Sequence, residues 1–446
     1  MRLRRLAATC CVVVVAGGCT APCARQPARH PVRPTPVLRT EFLLDDEPVA
    51  GAVRVTSRSH LRLVFGAPLR PGSVTLTVDG AAAPASALAW APDGTGADVP
   101  LAGLAPYRPA RLDVEAAPPV RGPGPLQVTM VATLPASASS GLEPGFRPGT
   151  PLEIVVENSG PARPQAGLQD ADLVYEYLSE YSVTRMTAIY FGHVPDLVGP
   201  VRSCRMVNPY LAYAYSGVVM CTGVSDGTAR YLFGAGPDAR PVAGLLESDD
   251  PGHHFFRVPY RAIPHNAYTS GDRAERVRTE RAQPPGDYVV DPRREGAAGG
   301  RPADPPAVPL HSVGYSYDAA SRQYLRSDHG RPFTDQVSGA QVHARTVVLL
   351  HVPFHDGGWV EDDTGGAHSV WYDLLGSGPA EVYADGTVVH ATWHMGAAPG
   401  QPYYENHTPV WFGDESGRVL QLGAGLTWIH VLGNGQERCP ESPSAC

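Results

Sequence analysis

Short runs of alternating apolar and polar residues, separated by glycine and proline, are the main pattern of this chain. Its 446 residues include 48 glycines and 46 prolines, which recur in clusters that end each run after a few positions. Residues 38–136 show such runs at the spacing typical of an immunoglobulin-like β-sandwich. The pattern predicts a multi-domain, β-rich protein.

Beyond Pro151 the pattern changes, and longer strand-like runs alternate with helical ones. Residues 172–180 and 183–192 predict two adjacent strands. Asn208 followed by Pro209 predicts the start of a helix, with the asparagine as its N-cap. We therefore expect residues 150–280 to form an α/β or α+β domain.

The remaining part of the chain predicts a connection, a further domain and a tail. Residues 281–308 are rich in proline, glycine and arginine, and we interpret them as a linker or a lid. Residues 309–433 show hairpin-like strands and predict a small, mainly β domain. Residues 434–446 form a tail that contains two cysteines.

The N-terminus has the pattern of an export signal. Three arginines occur within the first five residues, and the apolar stretch that follows is too short for the roughly 20 residues that span a bilayer. We predict a signal peptide at residues 1–18, lipidation at Cys19 and a proline-rich tether at residues 19–37. The protein is then extracytoplasmic and anchored to the cell membrane as a lipoprotein; cleavage without lipidation is the alternative.

The cysteines that remain after Cys19 fit an oxidising compartment. The simplest pairing joins Cys204 to Cys221 and Cys439 to Cys446, although the sequence leaves other connectivities open. Two cysteines separated by two residues, as zinc sites require, do not occur among them. We expect disulfides, no metal site and no cofactor.

Charge narrows the choice of partners. The sequence contains no lysine, so all 36 basic residues are arginines, and the formal net charge is -8. This composition excludes Schiff-base chemistry through a lysine and provides no long-range attraction for nucleic acid. We expect no nucleic-acid partner, and any contact with an anion has to use guanidinium groups or backbone amides.

Several separate stretches share the pattern of one bacterial family, and they are residues 155–192, 198–205, 261–268, 315–326, 383–394 and 415–432. In the order of the chain these stretches resemble the YerB-type lipoproteins, a family of unknown function. The resemblance implies export and a lipid anchor, and it implies no reaction. Residues 38–136 resemble a bacterial immunoglobulin-like module, which implies a spacer.

Arginines near the predicted strand ends are the main candidates for a binding site. A planar guanidinium can hold a carboxylate or phosphate through two hydrogen bonds. We expect an anionic envelope ligand, such as a peptidoglycan or glycan fragment, to bind in an arginine-rich cleft between the two halves. Its candidate residues are Arg185, Arg202, Arg205, His265 and Asn266.

Two other interpretations of the same region stay open. In the first, the arginines form structural ion pairs with Asp172, Glu176 and Glu180. In the second, Glu176 or Glu180 acts with His265 as the acid–base pair of an envelope hydrolase. A scaffold that binds an envelope protein is a third function, and it requires an exposed apolar patch.

Two pairs of histidines have the spacing of metal ligands on a helix. His351 and His355 are four residues apart, as are His390 and His394. The surrounding residues predict strands, in which four residues span about 13 Å. Neither pair is therefore expected to bind a single metal ion.

Overall fold

The computed structural model describes residues 38–436, except 57, 102, 117–119, 143–148, 181–182, 235–241, 293–299, 363–365 and 397–407. The predicted signal peptide, Cys19, the tether, Cys439 and Cys446 lie outside the described residues. Within the described part, no helix has the length and apolarity needed to cross a membrane. The described residues confirm a β-rich protein with several sheets.

The first unit consists of two sheets that share one core. One sheet has the order β10-β1-β4-β8-β7, with β2 beside β1, and the other has the order β3-β11-β9-β5-β6. Leu63 of the first sheet and Val128 of the second are both fully buried in this core. Strands β1 to β11 occupy Leu38–Leu44, Glu47–Val49, Gly51–Val55, Leu61–Phe65, Val74–Val78, Ala81–Ala82, Ala89–Trp90, Gly96–Val99, Ala110–Ala116, Val120–Arg121 and Leu126–Met130.

The middle of the chain alternates strands with three α-helices. Helices α1, α2 and α3 occupy Val207–Tyr215, Asp226–Phe233 and Gly271–Glu280. Strands β12 to β20 occupy Ala132–Pro135, Leu152–Glu157, Leu173–Glu180, Val183–Tyr190, Val218–Cys221, Ala243–Leu246, Phe256–Arg257, Ala267–Tyr268 and Tyr288–Asp291.

The last third of the chain is built from strands and one short 3-10 helix at Pro309–His311. Strands β21 to β33 occupy Arg301–Pro302, Ala307–Val308, Val313–Asp318, Gln323–Asp328, Arg331–Pro332, His343–Ala344, Thr346–Val352, Phe354–Asp362, Ala367–Tyr372, Gly376–Ala384, Thr387–Met395, Trp411–Gly413 and Thr427–Gly433.

One large sheet joins the middle and last parts of the chain. Its order is β17-β16-β13-β15-β14-β33-β27-β30-β31-β21, with β32 beside β31. The connection is the parallel pair of β14 and β33, in which Glu176 lies opposite His430. Residues 150–280 and 309–433 therefore contribute strands to the same sheet.

Both faces of this sheet are covered. Tyr175 packs with Leu211 of α1 in one core, whereas Val174 packs with Val277 of α3 in a second core. Because successive side chains of a strand point to opposite faces, a sheet buried on both sides needs strands that are apolar almost throughout. This accounts for the nearly continuous burial of β14.

Parts of residues 281–308 add strands to three sheets. Strand β20 pairs in parallel with β12, β21 pairs with β31 at the edge of the large sheet, and β22 pairs with β23. The segment interpreted as a linker or a lid thus contains backbone that is held by other strands.

The predicted N-cap of α1 is wrong. The helix begins at Val207, before Asn208, and Met206 occupies the cap position without a side-chain hydrogen bond. The Asn208 side chain instead accepts a hydrogen bond from the Arg205 backbone N–H at 2.6 Å and donates one to Thr187 Oγ1 at 2.9 Å. Asn208 therefore ties the start of α1 to the sheet.

Candidate functional site

The carboxyl ends of several parallel strands meet at one edge of the large sheet. Strands β13 and β14 are both antiparallel to β15, and β16 is parallel to β13. Residues at the ends of these three strands, including Glu157 and Glu180, therefore lie along one edge. In open α/β sheets this edge is where ligands usually bind.

A cleft of about 500 Å³ lies at this edge. Arg202 and Arg205, two of the predicted arginines, line it together with Glu180. The first residues of α2 form a second wall, and Trp359 and Glu361 of β28 form a third. The cleft thus lies between the middle and last parts of the chain.

Glu180 enters the cleft because of a register shift in β14. The pairing of β14 with β15 shifts between Leu178 and Glu180, so Glu180 joins the α1 face of the sheet. There it accepts hydrogen bonds from Arg185 at 3.1 Å and from Arg205 at 2.8 Å through each of two nitrogens. This matches the interpretation of the acids as structural partners of the arginines.

Arg185 and Arg205 are both engaged by the protein. The Arg185 side chain is only 3% exposed, and burial lowers its pKa to about 10. Arg205 donates its remaining nitrogen Nη1 to the Cys204 carbonyl at 2.8 Å. The structure places Arg185 behind the cleft, whereas Arg205 forms part of its floor.

Arg202 is different, because its guanidinium makes no hydrogen bond within the described residues. Its closest charged partner is Glu157, with 3.6 Å between Nε and Oε1, and its side chain is 27% exposed. The backbone of Arg202 is fixed between two strands, since its N–H donates to Val155 and its carbonyl accepts from Thr222. A rigid backbone therefore presents to the cleft a guanidinium that has one ion-pair contact and makes no hydrogen bond within the described residues.

A disulfide joins the segment after Arg202 to β16. The predicted bond between Cys204 and Cys221 is confirmed, with 5.6 Å between the two Cα atoms. Both cysteines are fully buried beside Leu232 of α2. The bond holds the cleft segment and the strand in one position.

His265 pairs with Glu157, a carboxylate that was not among the predicted site residues. Its Nδ1 lies 3.0 Å from both carboxylate oxygens of Glu157, and Ser159 donates to the same carboxylate at 2.8 Å. No hydrogen bond or ion pair in the described part of the chain joins His265 to Glu176 or Glu180. The acid–base pair predicted for a hydrolase, His265 with Glu176 or Glu180, is therefore not formed.

Asn266, the last of the predicted binding residues, is buried. Its Oδ1 accepts a hydrogen bond from Arg257 at 2.7 Å, and its Nδ2 donates to the Val258 carbonyl at 3.4 Å. Both ends of the amide are used inside the fold. Asn266 thus stabilises the loop that carries His265.

Glu176 lies on the opposite face of the sheet, in a closed network. It accepts hydrogen bonds from Arg326 at 3.1 Å to each oxygen, and from Trp428 at 2.8 Å. Thr184 and Asn158 donate to it as well. Burial alone would raise the pKa of Glu176, but the charge of the Arg326 guanidinium together with the other neighbours that stabilise the carboxylate exceeds this effect, so the pKa is lowered.

Asp172, the third acid of the series, bonds to backbone instead of an arginine. It accepts hydrogen bonds from the N–H groups of Ser137 and Phe191, each at 2.6 Å. Burial raises its pKa to about 7. Its role is to join three segments of backbone.

Two histidines extend the Glu176 network. Nδ1 of His311 lies 3.0 Å from Nδ1 of His430, and Nε2 of His430 lies 2.9 Å from the Tyr315 hydroxyl. Burial lowers the pKa of His311 to about 4 and that of His430 well below its usual value. Both imidazoles are therefore neutral at pH 7.

Glu176, His311 and His430 are close enough to be considered as metal ligands, since their donor atoms lie within 4.8 Å of one another. A carboxylate has about four lone-pair positions, and five donor contacts already occupy those of Glu176. A metal ion would also face the Arg326 guanidinium. The cluster fits a structural role better than a metal site.

The histidine pairs of the last domain lie in strands, as predicted. His351 is in β27 and His355 in β28, whereas His390 and His394 share β31. His394 stacks on Trp411 with 4.0 Å between ring centroids.

Trp359 and Glu361 are among the cleft residues that sequence reasoning missed. Both belong to β28, whose pairing with β29 is irregular, so the segment lacks the alternation that marks a strand. No motif in the sequence links this segment to Arg202. The link arises in the folded structure, where β28 packs against the start of α2.

Two family descriptions match the chain. Residues 140–283 match "Protein of unknown function (DUF3048) N-terminal domain", and residues 307–429 match "Protein of unknown function (DUF3048) C-terminal domain". Together they cover more than half of the chain. The chain belongs to this family of unknown function.

The chain is also similar to a protein of Bacillus subtilis. "Putative lipoprotein YerB" of Bacillus subtilis (strain 168) is 27% identical over 291 residues, which are 63% of this chain and 81% of that protein. A crystal structure of the YerB protein from Bacillus subtilis matches with a TM-score of 0.51 at 24% identity, and the match covers 67% of this chain and 96% of that one. The structural likeness shows the fold, and the predicted membership of the YerB-type family is confirmed.

Proposed function

We propose that this protein is exported, anchored to the cell membrane through lipid on Cys19, and binds an anionic envelope ligand in the cleft at the carboxyl edge of the large sheet. The N-terminal sequence pattern supports export. The name of its Bacillus relative, a lipoprotein, supports the anchor. The tether at residues 19–37 then holds the folded part away from the membrane surface.

The first unit serves in this proposal as an immunoglobulin-like spacer. Its two sheets enclose one core, which agrees with a sandwich. The candidate site residues all lie in later parts of the chain. We therefore assign the unit a role in positioning the cleft.

The observation that carries the proposal is the guanidinium of Arg202, which makes no hydrogen bond in the part of the chain that the structure describes. Arginines that serve only the fold are usually hydrogen-bonded when they are partly buried. Arg185 and Arg205 follow this rule through Glu180, but Arg202 has only the contact at 3.6 Å with Glu157. A ligand carboxylate or phosphate would complete its hydrogen bonds.

The start of α2 adds a second attraction for an anion. Asp226 and Gly227 line the cleft, and the first N–H groups of a helix have no partner within the helix. The Ser225 side chain caps only the Thr228 N–H. The partial positive charge at this end of the helix therefore lies beside Arg202.

The experiment compares ligand retention by wild type and arginine variants. The immobilised protein is incubated with a solubilised peptidoglycan fraction and, separately, with a phosphate-bearing glycan fraction, and bound material is identified by mass spectrometry. Arg202→Ala should retain at least roughly tenfold less ligand than wild type, because it loses a charge-assisted hydrogen bond. Arg276→Ala, an exposed arginine of α3, is the matched control. Equal retention by wild type and Arg202→Ala contradicts the proposal.

A further inference from the structure

We infer that the ligand of this cleft carries a cationic amine beside its anionic group, so that it is a zwitterionic peptide of the kind found in peptidoglycan stems. The inference rests on the proposed binding function and restricts the ligand within it. Three features of the cleft support it: the balance of charges, the position of Glu361 and the wall that Trp359 forms.

The charges of the cleft do not favour a purely anionic ligand. Two guanidiniums, those of Arg202 and Arg205, line it against three carboxylates, which belong to Glu180, Asp226 and Glu361. Glu180 and Arg205 neutralise each other through two hydrogen bonds. Among the lining side chains this leaves one cation, Arg202, and two anions, Asp226 and Glu361, while Arg185 and Glu157 add one charge of each sign outside the lining. A ligand with charges of both signs is complementary to this arrangement, whereas a polyanion is repelled by part of it.

Glu361 has a buried oxygen that lacks a hydrogen bond. Its side chain is 0% exposed, and its Oε1 accepts hydrogen bonds from Thr228 at 2.6 Å and from Trp359 at 3.2 Å. Among the described residues, Oε2 has no hydrogen-bond partner, and the arginine atom paired with it is Arg205 Nη1 at 3.8 Å. A buried acceptor without a donor is costly, and an ammonium group supplies the donor and the charge that are missing.

Trp359 restricts the access of water to this position. Its ring stacks on Tyr231 with 5.9 Å between centroids, and it packs so closely on Gly227 that a Cβ there would lie 2.3 Å from the indole. The indole N–H is held by Ser225 at 3.2 Å. Low access of water strengthens an ion pair between Glu361 and a ligand amine.

The chemistry that fits is a short peptide with a free carboxylate and a free amine. Its carboxylate would meet Arg202 and the start of α2, and its ammonium would meet Glu361 Oε2. Phosphate-bearing glycans without an amine satisfy only the first contact. Peptide stems of peptidoglycan that end in a diamino acid satisfy both.

The test uses the tripeptide L-alanyl-γ-D-glutamyl-meso-diaminopimelate and its N-acetylated form, in which the amines carry no charge. Isothermal titration calorimetry gives the affinity of each probe for the full mature chain. Wild type should bind the free-amine form at least roughly tenfold more tightly, as expected for a charge-assisted hydrogen bond. Glu361→Gln should abolish this preference, because the amide keeps an acceptor for Thr228 and loses the charge. Glu115→Gln, at an exposed position of the first unit, should retain it.

The outcomes separate the two proposals. Equal affinity of wild type for both forms, with weaker binding by Arg202→Ala, overturns the requirement for an amine and leaves the anion site standing. An unchanged preference in Glu361→Gln overturns the role of Glu361 and thus the inference. If wild type binds neither probe nor the phosphate-bearing glycan fraction, both proposals fail. Circular dichroism melting of each variant identifies any loss of fold.

Discussion

At the scale of single residues, similar side chains in this protein have different roles that their neighbours decide. Arg185, Arg202 and Arg205 occur in one region of the sequence, yet only Arg202 lacks a hydrogen-bonded partner. The difference arises from Glu180, which the shift in β14 turns toward the other two arginines. Sequence spacing cannot predict this outcome, because a shift of one residue reverses the face of a strand.

Glu176 provides a test of the buried ion pair that joins the two family segments. Removing its charge with Glu176→Gln leaves the fully buried Arg326 with Asp328, 3.5 Å away, as its remaining acidic partner. We expect a loss of about 3–5 kcal/mol in the free energy of unfolding, measured by urea denaturation. The double variant Glu176→Gln/Arg326→Met should recover most of this loss. A double variant that is less stable than the single one contradicts the ion-pair account.

Glu153 should make stability depend on pH. Both of its carboxylate oxygens are buried without a hydrogen bond, and burial raises its pKa well above the usual 4.5. The folded protein therefore keeps the proton after the unfolded chain has released it. The stabilising contribution is complete below the unfolded pKa and is lost as pH rises toward the folded pKa, by about 1.4 kcal/mol per pH unit.

The variant Glu153→Gln isolates this effect. Its free energy of unfolding relative to wild type should increase as pH rises from about 5 to about 8, because the variant has no proton to lose at this position. Urea denaturation at several pH values measures the difference. For Glu115→Gln, the exposed control, the curve of the free energy of unfolding against pH should run parallel to that of wild type. Parallel curves for Glu153→Gln and wild type contradict a raised pKa.

At the scale of elements, strands were predictable and their partners were not. The strands of residues 172–180 and 183–192 appear where the sequence predicts them, because strand-forming side chains fill both faces. The pairing of β14 with β33 joins positions about 250 residues apart, and no local pattern encodes it. Arg326 and Glu361 were missed for this reason.

The contact between α2 and the β28–β29 hairpin offers a test of the cleft wall. Gly227→Val places side-chain atoms where the Trp359 indole lies, since a Cβ at this position would already be 2.3 Å from the ring. The hairpin must then move away from α2. We expect affinity for the free-amine tripeptide to fall at least roughly tenfold in calorimetry.

Gly124→Val is the matched control for this change, because a Cβ at Gly124 would meet no atom within 4 Å. It should bind the tripeptide as wild type does. Unchanged binding by Gly227→Val would show that the hairpin does not form a wall of the ligand site.

At the scale of the whole molecule, the two family segments form one structural unit. Strand β14 is an interior strand only because β33 lies beside it. A chain that ends at residue 283 would expose the edge of β14 and leave Glu176 without Arg326 and Trp428. We expect such a chain to aggregate or remain unfolded, as an exposed apolar edge strand does.

The first unit should be dispensable for the stability of the rest. A chain that begins at residue 132 keeps β12 and its pairing with β20. It loses the ion pairs Arg54–Asp287 and Arg58–Asp291 and the contacts of Tyr107 with the Ala132 N–H and the Trp411 ring, none of which belongs to the two cores of the large sheet. Calorimetric melting should give one cooperative transition for this shortened chain. Failure of the shortened chain to fold would contradict the role of the first unit as a spacer.

The most direct test of the central claim is hydrogen–deuterium exchange of the full mature chain with and without the free-amine tripeptide at saturating concentration. The account predicts slower exchange in residues 202–205, 225–228 and 359–361, the segments that contribute the lining of the cleft, and a smaller change in Arg202→Ala at the same concentration. Protection confined to another surface, such as the groove lined by residues 101, 103–106, 414 and 416–421, would contradict it.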